Sequence, residues 1–186
     1  LQAFGRRHLP SDLIDLLEQS QANRLDAGEA REDAEDNRIA DILANQLGDI
    51  EQAIERYGDV LGRSEDDTNA LQALERFLET SDWRVLACEH LQAHYAGRSA
   101  SDLARVYEAR LSVTDETYER VGLLTRLGRL QAETLGRGAE AFESFAAAFS
   151  EEPQNQDVVI WLERLASDVG LFPRLAQVFE AEAINM

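Results

Sequence analysis

The feature that most constrains this chain is a segment that returns. Ser11-Asp12-Leu13-Ile14-Asp15-Leu16-Leu17-Glu18 recurs as Ser101-Asp102-Leu103-Ala104-Arg105-Val106-Tyr107-Glu108, and again as Pro173-Arg174-Leu175-Ala176-Gln177-Val178-Phe179-Glu180. The stretches between the copies match as well. Leu47-Gly48 followed by Ala53, Ile54, Glu55 and Tyr57 aligns with Leu135-Gly136 followed by Ala141, Phe142, Glu143 and Phe145, and Leu74-Glu75-Arg76 aligns with Leu162-Glu163-Arg164. Both matches lie 88 residues apart. A constant offset across several elements marks a duplicated structural unit, which restricts the chain to architectures built by stacking.

Each unit reads as four helices, because apolar residues recur at i, i+3, i+4 and i+7. The first unit predicts helices over roughly 11–25, 29–47, 49–62 and 67–80, and the second over roughly 100–112, 115–135, 137–151 and 155–169. Gly48 and Gly136 stand where a left-handed residue ends a helix, and Asp49 is placed to cap the next one. Residues 82–96 add one helix, opening at Trp83, with no counterpart after the second unit, so the spacing of the recurring segment drops from 90 residues to 72. The resulting organisation is 1–10, the end of a preceding helix and its turn; 11–81, a first unit; 82–97, the inserted helix; 98–170, a second unit; and 171–186, the opening helix of a third. Both ends fall inside repeats, which reads as an excerpt of a longer array.

Composition narrows the function. Of 186 residues, 36 are acidic and 18 basic, a net charge of −18, and every basic residue is arginine. That field repels phosphate backbones, so nucleic acid is not an expected partner. The acidity is either a solvated surface that keeps the protein soluble or one that attracts a basic partner. No apolar run reaches the roughly 18 residues needed to cross a bilayer, so no membrane insertion is expected. The single cysteine, Cys88, lies among Val85, Leu86, Ala87 and Leu91 and reads as a buried thiol in a reducing, cytoplasmic compartment. The chain opens at Leu1, so an upstream targeting segment could precede it.

No pattern of catalytic or cofactor chemistry is present. His90 and His94 are four apart on the inserted helix, but Cys88 points elsewhere and no third ligand follows at metal-site spacing. His8 stands alone. Glu65-Asp66-Asp67 lacks the ligand and glycine pattern of a calcium loop and is placed to cap the helix beginning near Asp67. There is no phosphate-cradling glycine loop and no paired carboxylate marked for acid–base work. Trp161, which aligns with Ala73, reads as core or groove edge. The expectation is a non-enzyme with no cofactor and no metal.

The helix pair 115–151 resembles a tetratricopeptide repeat. Leu127-Gly128 occupies the Leu-Gly place of that motif, and Ala141, Phe145, Ala148 and Pro153 fall at its Ala, aromatic, Ala and Pro positions. In the first unit Ile39-Ala40, Ala53, Tyr57 and Val60 fit, while Glu65 stands where proline is expected. The longer unit is similar to divergent tetratricopeptide-like arrays of large bacterial proteins. The resemblance implies an all-α, right-handed α-solenoid of about 10 to 11 helices, whose inner surface, lined by the first helix of each pair, holds peptides or partner proteins. The uncapped ends add self-association by stacking as a further expectation. The stripes it points to are Arg31, Arg38, Asp41 and Asn45 in the first unit and Glu119, Arg126, Arg129 and Glu133 in the second. The alternative for these charges is simple solvation and pairing along an exposed face. With no lysine, and with Asp41 and Arg129 at the expected asparagine places, the family's clamp for C-terminal carboxylates is not expected. The leading function is therefore an interaction scaffold; a subunit that stacks into a larger assembly, or a regulatory segment of a longer enzyme, are the alternatives.

Overall fold

The computed structural model describes residues 9–80 and 82–185. Among these residues the chain is all-helical, with ten α-helices and no strand: α1 Pro10–Asp26, α2 Asp33–Ile42, α3 Ile50–Arg63, α4 Thr68–Phe77, α5 Arg84–Tyr95, α6 Ala100–Leu111, α7 Thr117–Arg129, α8 Gly138–Glu151, α9 Gln156–Val169 and α10 Phe172–Asn185. π-Helical turns extend α2 over Leu43–Leu47 and α7 over Leu130–Thr134. The chain divides into two compact units, one running to His94 and the other beginning at Tyr95. The expected helix tail over residues 1–7 lies outside the described residues.

In the first unit, α3 carries the clearest amphipathic stripe. Its Ala53, Ile54, Tyr57, Val60 and Leu61 are buried against α2 and α4. Ile39 of α2 and Leu74 of α4 are fully buried beside them, each worth roughly 1.5–3 kcal/mol of transfer free energy. In the second unit, Leu124 of α7, Phe142, Phe145 and Phe149 of α8 and Leu162 of α9 share one apolar cluster, and Leu175, Val178 and Phe179 of α10 pack on it.

The backbone repeats at the spacing of the sequence matches. Asp49 N donates to Leu43 O at 2.9 Å, and 88 residues later Arg137 N donates to Gln131 O at 2.8 Å. Ser64 N to Val60 O (2.8 Å) likewise returns as Glu152 N to Ala148 O (3.0 Å). The opening turns of α1, α6 and α10 share a third bond: Leu13 N to Leu9 O, Leu103 N to Ser99 O and Leu175 N to Leu171 O. Gly48 (φ 72°) and Gly136 (φ 65°) adopt the left-handed conformation that lets each π-helical turn end and the chain reverse. The expected caps form: Asp49 Oδ1 accepts from Gln52 N at 3.3 Å and Asp67 Oδ1 from Ala70 N at 2.9 Å. Asn155 caps α9 in the same way.

The helix expected over 29–47 begins later, at Asp33. Glu29 N donates back to Arg24 O, and Glu32 is extended. The buried side chain of Gln21 donates to Glu32 O at 2.8 Å and accepts from Glu32 N at 2.9 Å. A partner on α1 thus replaces the helical one at the N–H, while the carbonyl also accepts the first bonds of α2 from Glu35 N and Asp36 N. Trp83 lies in the turn before α5 instead of inside it.

Candidate functional site

A recess recurs at the same place in both units. In the first, about 170 Å³ is enclosed by Ala44, Asn45, Tyr57, Ala73, Arg76, Phe77 and Thr80. In the second, about 250 Å³ is lined by residues that include Ala132, Glu133, Trp161, Arg164, Leu165 and Asp168. Each of these six lies 88 positions after a lining residue of the first recess. In both units the π-helical turn forms one wall and the second helix after it, α4 or α9, forms the other.

The linings differ in a correlated way. In the first unit the Tyr57 hydroxyl donates to Asp41 Oδ1 at 2.7 Å. Burial, together with that hydrogen bond and the Asp41 charge, raises the Tyr57 pKa. In the second unit the tyrosine is Phe145, the aspartate is Arg129 and Ala73 is Trp161. Phe145 stacks on Trp161 with ring centroids 5.2 Å apart and planes 5° from parallel. The Arg129 and Arg164 guanidiniums lie over the Trp161 ring, 5.9 and 5.1 Å from its centroid, within cation–π range. Gly128 makes room for the stack: a Cβ there would lie 2.7 Å from the Phe145 ring.

The eight residues singled out from sequence separate into two groups. Arg38, Asp41, Asn45, Arg126, Arg129 and Glu133 are exposed on α2, α7 and their π-helical turns. Asn45 donates to Asp41 O at 2.9 Å, and Asn45 and Glu133 line the two recesses. The other two are engaged by their own chain. Arg31 precedes α2 and grips Asp36 through two hydrogen bonds of 3.1 and 2.9 Å. Glu119 accepts from Arg110 Nε at 2.9 Å and Nη2 at 2.5 Å.

Sequence reasoning missed the buried ionic cluster around Asp36. Its side chain is only 1% exposed and accepts four hydrogen bonds. Besides the two from Arg31, they come from Arg56 Nη1 at 2.9 Å and Arg63 Nη2 at 2.6 Å. Arg56 also reaches Glu18 at 2.6 Å, and Arg63 reaches Asp33 at 2.9 Å, so α1, α2 and α3 are tied together. Burial pushes the Asp36 carboxyl up, but hydrogen bonds from Arg31 and Arg56 and the surrounding guanidinium charge outweigh it and hold it below its ordinary value. A carboxylate so held stays ionised at neutral pH and is poorly suited to proton transfer. The available signal was position: Asp36 lies three and four residues before the buried Ile39 and Ala40, and its counterpart 88 residues on is Leu124, a core residue. The cluster borders an open groove of about 780 Å³ on the first unit.

The other candidates resolve into packing. His90 sits against Gly58, with Nε2 3.4 Å from Glu55. Cys88 is buried. Asp67, besides capping α4, accepts from Asn37 Nδ2 through both oxygens at 3.1 Å. Among the described residues no group of three or more His, Cys, Asp or Glu is placed to hold a metal ion. Nor, among them, is any helix long and apolar enough to cross a membrane. Among the described residues the structure thus defines an all-helical chain in which successive helices pack, α1 to α4 in the first unit and α6 to α10 in the second, with a recess that recurs in both. No family model matches this chain, and no curated protein or solved structure matches it either.

Proposed function

We propose that this chain is a non-catalytic scaffold, a tetratricopeptide-like α-solenoid segment that binds a protein or peptide partner. The binding face would be where α7 and its π-helical turn meet α9, with the corresponding face of α2 and α4 as a second station. The observation that carries this reading is the recurrence of one recess on one backbone framework with different linings. Tyr57, Asp41 and Ala73 in one unit stand against Phe145, Arg129 and Trp161 in the other. A constant frame with variable lining is how repeat surfaces acquire specificity.

The test is partner capture with and without the lining. Arg129→Glu combined with Glu133→Arg inverts two exposed charges and should leave thermal unfolding unchanged while removing the captured partner. A partner retained equally by the variant would count against this face.

Self-association is a second reading with its own support. Leu16 of α1 is 57% exposed, whereas Val106, at the matching position of α6, is fully buried. Leu9 just before α1, Leu25 of α1, and Phe172 and Ile184 of α10 are also exposed. Burying such residues against another copy would recover apolar area, opposed by mutual repulsion between chains of charge −18. Light scattering over a concentration series, at low and high salt, decides it: a mass fixed at that of one chain throughout excludes this reading.

A further inference from the structure

Carboxylates outnumber arginines two to one in this chain, so an arginine without a carboxylate partner is the exception. Arg24, Arg31, Arg56, Arg63, Arg110 and Arg120 each reach a carboxylate within 3.2 Å. The face of α7 and α9 is different. Arg126 and Arg129 are exposed and make no ion pair among the described residues. Arg164 approaches Asp168 only at 3.7 Å, with both side chains more than half exposed, a pairing of little worth in water. The pattern returns in the first unit. Arg38 and Arg76, the counterparts of Arg126 and Arg164, are exposed, and Arg76 donates only to Gln72 O.

We infer that this face of the second unit docks an acidic segment of a partner protein. Carboxylate side chains would be held by Arg126, Arg129 and Arg164, and a neighbouring apolar side chain would enter the recess of about 250 Å³ beside Trp161. The inference rests on the scaffold reading and narrows it to one partner chemistry. Three features support it. A guanidinium lying over an indole face keeps its in-plane N–H groups available for a carboxylate, and Arg129 and Arg164 both lie so. Three guanidiniums spread over two helices suit several carboxylates along a segment. At 0.15 M salt the screening length is about 8 Å, so a docked segment responds to the three arginines, and to Glu133 and Asp168 on the recess wall, more than to the distant net charge.

The experiment measures fluorescence anisotropy of labelled peptides against the whole chain at 0.15 M salt. The probes are a peptide of about ten residues alternating glutamate and leucine, blocked at both ends, and its lysine–leucine counterpart. Saturable binding of the glutamate peptide alone is expected. Arg129→Gln should weaken it by up to about fivefold, the scale of one exposed ion pair, and the triple variant Arg126→Gln/Arg129→Gln/Arg164→Gln should abolish it. Arg137→Gln, whose partner is Glu140, should leave the affinity unchanged. All these positions are exposed, and unchanged thermal melts will show that the variants remain folded. Equal affinity of the triple variant for the glutamate peptide overturns the inference, as does binding of neither peptide. Binding of the lysine peptide instead, lost on changing these residues, overturns the acidic partner while leaving the scaffold reading standing.

Discussion

Replacing Asp36 by asparagine keeps its shape and removes the charge around which α1, α2 and α3 converge. In the parent, Oδ1 accepts from Arg31 and Arg56, and Oδ2 accepts from Arg31 and Arg63. An amide can present one oxygen, so its NH2 group would face two guanidinium donors. Removing one member of a buried ion pair costs roughly 3–5 kcal/mol. The arginine side chains here are 20–37% exposed and can recover part of that from water, which lowers the expected loss to about 3 kcal/mol. Against a typical stability of about 5–15 kcal/mol that is a large fraction. Urea unfolding followed by circular dichroism at neutral pH measures it.

The pH dependence supplies the sharper check. The folded carboxyl titrates below its ordinary value of 3.8, so its contribution is complete above that value and is lost as pH falls through the lower folded one. The gap between parent and Asp36→Asn should therefore be constant from neutral pH down to about pH 5 and close in stronger acid. A variant within about 0.5 kcal/mol of the parent, or a gap that persists unchanged into strong acid, would refute the assigned role. Asp36→Leu combined with Arg56→Ser installs the second unit's own residues, Leu124 and Ser144. It should be more stable than Asp36→Leu alone, because it also removes one of the stranded cations.

Three further perturbations address single contacts. Gly128→Ala places a methyl group against the fully buried Phe145 ring and should destabilise by about 1–3 kcal/mol, despite a gain in helix propensity of up to about 1 kcal/mol; a higher melting temperature would show that the stack can shift. Gln21→Leu removes the partner of the Glu32 N–H but leaves the carbonyl its bonds from Glu35 N and Asp36 N, and should cost about 1 kcal/mol, read from the urea midpoint. Tyr57→Phe should flatten the loss of stability in alkali. The raised pKa of Tyr57 gives a contribution that is complete below about pH 10 and declines above it as the unfolded hydroxyl ionises; identical alkaline profiles for the two proteins would remove Asp41 and burial as its cause.

Local features were legible in the sequence because their causes are local. The buried faces of α3 and α8 follow from apolar spacing along one helix. The reversals at Gly48 and Gly136 follow from the one residue type without a Cβ, and the caps at Asp49 and Asp67 from side chains three residues before the N–H groups they accept from. Even the recess was partly marked, since Asn45 and Glu133 lie on its lining.

Other features depended on which residues the fold brings together. Asp36 draws guanidiniums from positions 31, 56 and 63, and no local pattern links them. Arg31 looked like one member of an outward stripe, but the segment before α2 is extended, and the arginine turns to a carboxylate instead. The same holds for the start of α2, set by Gln21 on another helix. At Trp161, sequence could place the ring at a core or groove edge. Only packing could stack Phe145 on it and bring Arg129 and Arg164 over it. Backbone periodicity is written along the chain, whereas the pairing of charges and rings is a property of distances across it.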